Sequence, residues 1–546
     1  MRRSIARAPT ETNPDTASAT MDSLKLQFRP SPRSTNLFSR SPNKQPKSNA
    51  LLLTSIILTL AIVFYLFVTS SKSPSKRKFG IVIDGGSTGT RIHVFEYGIK
   101  DGAPVFDFGP GGLVSKRVRP GLSAYVDDPE GAGRAVGELV EFGRGRVPRE
   151  CWRRTEIRLM ATAGLRLVVD GARERILEQC RRVLRGSGFV FRDDWASVIS
   201  GSDEGLYAWV VANYALGTLG GDPQQTTGII ELGGASAQVT FVSSEPIPPE
   251  FSRTVKFGNF SYNLYSHSLL QFGQNVAHEL LRESLIAGGR ILATKALRMG
   301  KTMDPCTPRG YTQDMGLQKL SPSSLTEKNR YLAALLPNGN FSECRSASLM
   351  LLQNGKEECS YKHCSLGSTF IPSLQGKFLA TENFFYTSKF FRLSPRASLS
   401  DLTMAGENFC QEDWSKLKRK YASFDEEDLP RYCFSSAYIV ALLHDSLGIA
   451  LNDKRIGFAN QVNEIPLDWA LGAFILHSTA GLDAQHSNWI TSIFGDDTST
   501  LLVFLVFSVA LTVTAWSVSK WRRPQLKTIY DLEKGKYIVT RVGRCS

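Results

Sequence analysis

Two short segments of the chain carry residue types that suit phosphate chemistry. Ile81-Val-Ile-Asp-Gly-Gly-Ser-Thr-Gly-Thr-Arg-Ile-His-Val-Phe95 reads as a strand, an acid, a turn of small residues and a second strand. Gly228-Ile-Ile-Glu-Leu-Gly-Gly-Ala-Ser-Ala-Gln-Val-Thr-Phe241 repeats the plan, with Asp84 aligned to Glu231 and Gly86 to Gly233, 147 residues apart. That spacing is a domain length, too long for a solenoid repeat. A turn of this kind points several backbone N–H groups at one place, which is an anion-binding arrangement. The hydroxyls of Ser87, Thr88 and Thr90 add donors. The acid at each strand end repels phosphate, so it makes sense only with a divalent cation between them. The expectation is that Asp84 and Glu231 face each other across a cleft and hold a hydrated divalent cation while the two turns cradle phosphates. The alternative is a pair of ordinary hairpin turns in which glycine supplies positive φ.

Two further segments place polar groups at element ends. Glu156–Ala161 reads as a strand running into Thr162, with a helix expected at about 171–185. Thr162 is either a donor to metal-bound water or a plain turn hydroxyl. Trp195–Ser200 reads as another strand, followed by a helix to about Leu216. Glu204 falls in the first turn of that helix, where the dipole favours the anion. It is either an ordinary N-terminal acid or a general base for water. Other chemistries are excluded. Gly85-Gly-Ser87-Thr-Gly89 matches the nucleophile-elbow spacing, but Arg91–Glu96 alternates as a strand where that motif needs a helix. Gly300-Lys-Thr lacks the upstream glycine of a P-loop, with Lys295 in its place. The seven His are scattered and form no metal-binding pair. What is left is carboxylates, hydroxyls, backbone amides and a cation, the parts for water attack on a terminal phosphoryl group.

These residues resemble the apyrases, the nucleoside triphosphate diphosphohydrolase family, and most of all its plant membrane-bound members. Five ordered segments carry the resemblance: Ile83–Arg91, Leu159–Leu165, Ile199–Trp209, Glu231–Gln238 and Asp468–Gly472. It implies an α/β fold of two actin-like (ribonuclease-H-type) lobes around a central cleft. By similarity, Glu204 is the catalytic base, and Ser236 and Gln238 position the attacking water. Asp84, Thr162 and Glu231 hold waters around Ca²⁺ or Mg²⁺. Gly85, Gly86, Ser87, Thr88, Gly89, Thr90 and Arg91, with Gly233, Gly234, Ala235 and Ser236, bind phosphates. Phe385, Tyr386 and Arg431 fall in the neighbourhood of the family's base-binding residues, and Trp469 fits a packing role beside the cleft. The family plan puts one lobe at 79–198 plus 460–490 and the other at 199–459. The sequence departs from the family in having Glu231 where Asp is usual, which moves the carboxylate by about 1.5 Å. Gly85 and Ala237 stand where Ala and Thr are frequent. The implied activity is hydrolysis of terminal phosphates of nucleoside tri- or diphosphates. Narrower or rival readings are a luminal diphosphatase acting on UDP or GDP after glycosyl transfer, and a non-catalytic nucleotide-binding membrane protein.

The elements that must position these residues lie in a near-neutral body. The net charge of +14 is concentrated at the ends, with nine Lys/Arg against three acids in residues 1–50 and eight against two in residues 519–546. This distribution argues against a nucleic-acid partner and for membrane-flanking tails. Leu51–Val68 and Thr500–Val518 are uncharged apolar runs long enough to cross a bilayer as transmembrane helices, the first as a signal anchor. Lys520, Arg522 and Arg523 follow the second run and Asp496 and Asp497 precede it, which places both termini in the cytosol. The body would then lie in the lumen or outside the cell, on a Golgi or plasma membrane. Residues 1–50 are expected to be a disordered basic tail and 519–546 a second basic tail. Eight of the nine cysteines lie in the body, an even number that fits an oxidising compartment. Nearest-neighbour pairing gives Cys151–Cys180, Cys306–Cys344, Cys359–Cys364 and Cys410–Cys433. Asn259 and Asn340 head glycosylation sequons.

Overall fold

Both candidate hairpins are built from apolar, β-branched arms that are buried on both faces, the pattern of central strands covered by helices. The computed structural model describes Thr59 and residues 77–100, 103–106, 108, 112–293, 302–312, 335–353, 360–361, 364–487, 507–516, 526–531, 533 and 535–541. β1 (Lys78–Gly85) and β2 (Thr90–Lys100) form the first hairpin, with Asp84 opposite Arg91. β3 (Ala103–Phe106) and β4 (Leu113–Val118) both pair with β2. After α1 (Pro129–Arg146), β5 (Glu156–Ala161) lies parallel to β1. α2 (Asp170–Arg185) then returns the chain to β6 (Ala196–Val198), parallel to β5. α3 (Gly201–Leu216) leads to the second hairpin, β7 (Gly228–Leu232) and β8 (Ser236–Val242), with Glu231 opposite Gln238.

The second half repeats the first with larger insertions. β9 (Ser252–Phe257) and β10 (Phe260–Leu270) extend the sheet beyond β8. α4 (Gln274–Ala293), a short parallel pair β11 (Thr302–Asp304) and β12 (Leu335–Pro337), and α5 (Phe341–Gln353) come next. β13 (Phe378–Glu382) then runs parallel to β7. α6 (Asn383–Phe390), α7 (Leu399–Gln411) and α8 (Arg431–Val440) precede β14 (Ile456–Phe458), which is parallel to β13. α9 (Trp469–Ser487) closes the body. The sheet orders are β3-β2-β1-β5-β6 and β9-β10-β8-β7-β13-β14. In each, a hairpin sits beside a parallel strand reached through a helical crossover. The two turns therefore occupy equivalent places.

Helices α3 and α9 pack on each other between the sheets. α3 lies on β7, β8 and β10, whereas α9 lies on β1 and β3. Trp209, Val211 and Ala212 of α3 and Leu471, Ala473 and Ile475 of α9 share one buried cluster with Val82 and Phe95 of the first sheet and Ile229 and Tyr262 of the second. Each large apolar side chain so buried contributes about 1.5–3 kcal/mol. The contact depends on Gly472, where a β-carbon would fall 1.9 Å from the Tyr207 carbonyl oxygen. The same segment ends the Asp468–Gly472 motif, so that glycine is there for helix approach.

The cysteines correct one expectation. Cys306–Cys344 and Cys410–Cys433 are bonded, and Cys364 is disulfide-bonded while Cys359 lies outside the described residues. Cys151 and Cys180 are free. Cys180 faces the core of the first sheet from α2 together with Ile176 and Leu184, and Cys151 is half-buried in the 3-10 turn Arg149–Arg154. Adjacency in sequence did not bring these two together. Of the apolar runs, 51–68 lies outside the described residues apart from Thr59, and of 500–518 the structure describes a helix over 507–516. Among the described residues no helix is long and apolar enough to cross a membrane. The tail 1–50 also lies outside them, and the expected basic tail 519–546 contains a hairpin of Leu526–Asp531 with Lys536–Arg541.

Gly472→Val is expected to lower the denaturation midpoint by the equivalent of roughly 3 kcal/mol through overpacking, as read by chemical unfolding. Alkylation followed by peptide mass spectrometry should label Cys151 in the native protein and Cys180 only after unfolding. Cys306, Cys344, Cys410 and Cys433 should need reductant.

Candidate active site

The two hairpin tips meet. A β-carbon on Gly234 would lie 2.8 Å from Ser87 Oγ and 2.9 Å from Thr88 Cγ2. None of Gly85, Gly86, Gly89, Gly233 and Gly234 takes a positive φ. These glycines give room for close approach, and the ordinary-turn alternative does not account for them. Thr88 is fixed from the side by Arg117, whose Nη2 donates to Thr88 Oγ1 at 2.6 Å.

The cleft between the tips is lined by residues 86–89 and 233–236, by Arg91, Arg117, Thr162 and Trp469, and by the carboxylates Asp84, Glu204, Glu231, Glu382 and Asp468. Gly85 and Thr90 sit behind the tip, where the Gly85 carbonyl accepts from Thr162 N at 3.2 Å and Thr90 is buried. Thr162 directly follows β5 and caps the start of the helical turn Ala163–Arg166. Trp469 stacks over Tyr207 with ring centres 6.4 Å apart.

Glu204 follows the N-cap of α3, where Ser200 Oγ accepts from Asp203 N at 3.1 Å. Its Oε2 accepts from Gln238 Nε2 at 3.2 Å and from Arg166 Nη2 at 2.6 Å. Gln238 Nε2 also donates to Ser236 Oγ at 2.6 Å. The three residues assigned to water attack by resemblance thus form one hydrogen-bonded group at the cleft wall.

Electrostatic crowding dominates the site. Burial pushes the Asp84 carboxyl well above the usual carboxylate range, Asp468 adds to the rise, and Arg91 opposes it. Burial likewise pushes Glu231 well up, helped by Glu204, Glu382, Asp468 and Asp84. Burial raises Glu204 against the pull of Arg166. Glu382, whose backbone takes φ 57°, is raised by burial and by Asp468. Asp84 Oδ1 and Glu231 Oε2 are buried with no hydrogen-bond partner. Asp468 is the better served, with Arg91 Nη1 at 3.3 Å.

The expected base-binding residues fall outside the cleft lining itself, with Tyr386 close enough for its hydroxyl to be influenced by Glu382, Arg91 and Arg117. Phe385, Tyr386 and Arg431 are not among the residues lining this cleft. Tyr386 is exposed and packs edge-on to Phe385, four residues from Glu382, and Arg431 pairs with Asp428 at 3.6 Å. Asn259 is exposed at the β9–β10 turn, and Asn340 Oδ1 accepts from Glu343 N at 3.2 Å at the start of α5. Sequence reasoning did not identify Arg117, Arg166 or Glu382 and gave Asp468 no role. Arg166 directly follows the Leu159–Leu165 segment, and an arginine ending a turn looks like any solvated one until its partner is known.

The GDA1/CD39 (nucleoside phosphatase) family profile matches residues 70–487. The chain belongs to that family. It is 55% identical to "Probable apyrase 6" of Arabidopsis thaliana over 99% of this chain and all of that one. It is 30% identical to "Ectonucleoside triphosphate diphosphohydrolase 3" of Mus musculus, over 80% of this chain and 87% of that one. Among solved structures, the nucleoside triphosphate hydrolase of Neospora caninum superposes with a TM-score of 0.55 at 17% identity. That likeness covers 78% of this chain and 97% of that one and is one of fold. The apyrase resemblance carried by the five motifs is therefore borne out, and the protein is a nucleoside phosphohydrolase.

A carboxyl held above its unfolded value keeps protons that the unfolded chain has lost, so its contribution to stability falls as pH rises through that window. Glu231→Gln removes the ionisation cost. In EDTA, the variant's melting midpoint relative to wild type should rise with pH, and the two should converge below the ordinary carboxylate range. A difference that shrinks as pH rises would contradict the burial of Glu231.

Proposed function

We propose that the protein hydrolyses terminal phosphates of nucleoside tri- and diphosphates by direct water attack, with Glu204 as general base. The observation that carries this reading is the meeting of the two acid-tipped turns over the Glu204, Ser236 and Gln238 group. The backbone N–H groups of residues 86–89 and 234–236 bind the phosphate oxygens, the Gly233 N–H being donated to the Ser236 carbonyl at 2.9 Å. Ser236 and Gln238 orient a water, Glu204 takes its proton, and the water oxygen attacks the terminal phosphorus. The P–O bond to the bridging oxygen breaks, releasing inorganic phosphate and the shortened nucleotide.

The unpartnered oxygens of Asp84 and Glu231, both raised by burial and by neighbouring carboxylates, suit a divalent cation. Asp84, Glu231 and Thr162 would hold Ca²⁺ or Mg²⁺ through water. When bound, the ion offsets negative charge on the phosphate oxygens. The lobes are taken as 79–198 with 460–490, and 199–459. The apolar runs 51–68 and 500–518 are read as membrane spans that hold the body on the luminal or extracellular side of a secretory membrane, with Asn259 open to glycosylation.

Glu204→Gln keeps the shape of the side chain and removes its basicity. Phosphate release from ATP, UDP or GDP should fall about 10²–10⁴-fold, with nucleotide binding retained. A folded Glu204→Gln protein that hydrolyses at the wild-type rate removes Glu204 as the base.

A further inference from the structure

Arg166 is not among the residues lining the cleft, yet it joins two groups of the catalytic cluster that are. Its Nη2 lies 2.6 Å from Glu204 Oε2 and 3.3 Å from Ser236 Oγ. Glu204 is buried and Arg166 largely covered, with side-chain exposures of 9% and 15%. The guanidinium comes from the turn that follows β5 of the first sheet, and its two acceptors lie on α3 and on β8 of the second. We propose that Arg166 is a positioning residue that turns Glu204 and Ser236 toward the attacking water. This inference rests on Glu204 being the base.

Hydrogen-bond bookkeeping gives the mechanism. Arg166 and Gln238 both donate to Oε2 of Glu204. Among the described residues no donor is directed at Oε1, and Glu204 lines the cleft. Glu204 thus presents one held oxygen and one open to a water proton. Ser236 Oγ also receives two donors, Arg166 Nη2 and Gln238 Nε2 at 2.6 Å. A hydroxyl has two lone pairs and one proton. With both lone pairs engaged, Ser236 can only donate, so it binds the oxygen of the water whose proton Glu204 accepts. Both contacts come from Nη2, and the planar guanidinium fixes the direction of its N–H groups, whereas a lysine ammonium on its flexible stem donates to two acceptors without that fixed direction.

The guanidinium cannot drift. Its turn opens at Thr162, whose N–H donates to the Gly85 carbonyl at 3.2 Å. A β-carbon on Gly164, within the turn, would fall 2.9 Å from Ser87 Cα, so the turn is seated on the first phosphate loop. On the other side a β-carbon on Gly201 would lie 2.5 Å from Arg166 Nη1. Arg166 therefore fills a slot between the first loop and the start of α3. Because Arg166 reaches the site only through Glu204 and Ser236 and is not itself among the lining residues, its loss should act on kcat and leave nucleotide binding nearly unchanged.

The test uses the full chain in detergent, with phosphate release from ATP and UDP in Ca²⁺ or Mg²⁺. Arg166→Met should lower kcat about 10²-fold with KM altered less than about threefold, the signature of misplaced catalytic groups. Arg166→Lys should lose less. Guanidinium ion at tens of millimolar should restore part of the Arg166→Met rate and none of the Glu204→Gln rate. Arg166→Met combined with Glu204→Gln should be no slower than Glu204→Gln alone, because the two act as one unit. Wild-type kcat in Arg166→Met, a proportional rise in KM, additive losses, or no guanidinium rescue of a protein that melts like wild type would each overturn the proposal. If Arg166→Met does not fold, Arg166→Lys decides: kcat reduced at constant KM supports the role, and wild-type kcat ends it. A wild-type rate in Glu204→Gln would instead refute the base itself, whatever the Arg166 variants do.

Discussion

Asp84 and Glu231 stand at the inner ends of two central strands, Glu231 buried and Asp84 partly so, and among the described residues each has a buried oxygen that no donor reaches. Glu204, Glu382 and Asp468 share the same cleft. Mutual repulsion among buried carboxylates favours either protonation or a compensating cation. The chain supplies only part of the compensation, through Arg91 beside Asp468 and Arg166 beside Glu204. The first-sheet acid and its second-sheet counterpart are left for whatever enters between the phosphate loops. Repulsion among these carboxylates destabilises the site unless protons or cations offset it.

Holding such a site together requires rigid supports, and the duplicated sheets provide them. Each turn is fastened on one side by its own hairpin and on the other by a parallel strand, β5 for the first and β13 for the second. Neither acid can swing away without breaking strand pairs. The distance between the two hairpins is then set by the crossing of α3 and α9, where Gly472 lets the helices approach to backbone contact. α3 has a double duty. Its apolar residues join the sheets, and its first turn carries Glu204. The geometry of Glu204 is therefore tied to the same core that sets the width of the cleft.

Much of this was legible in one dimension because both hairpins, their acids and their turns are local. Strand alternation, an acid before small residues and a repeat of the whole plan need only a dozen consecutive positions each. The helix beginning at Gly201 and its early Glu204 were readable for the same reason. The Cys151–Cys180 pairing failed because proximity in sequence says nothing about which face of a helix a thiol occupies, and Cys180 turns inward to the apolar core. Tyr386 and Arg431 fell in segments similar to base-binding ones, but neither lines the cleft.

By itself the sequence determined the chemistry on offer: two anion-binding turns tipped with acids, an early-helix carboxylate, and five ordered motifs whose family the profile match then established. Only the tertiary structure decided that the turns touch, that Glu382 and Asp468 crowd the same cleft, and that Arg166 reaches across to Glu204 and Ser236. The physical reason is range. A strand and its turn are encoded by neighbours a few residues apart, whereas a hydrogen bond between residues 166 and 236 exists only after two sheets have been packed on one pair of helices.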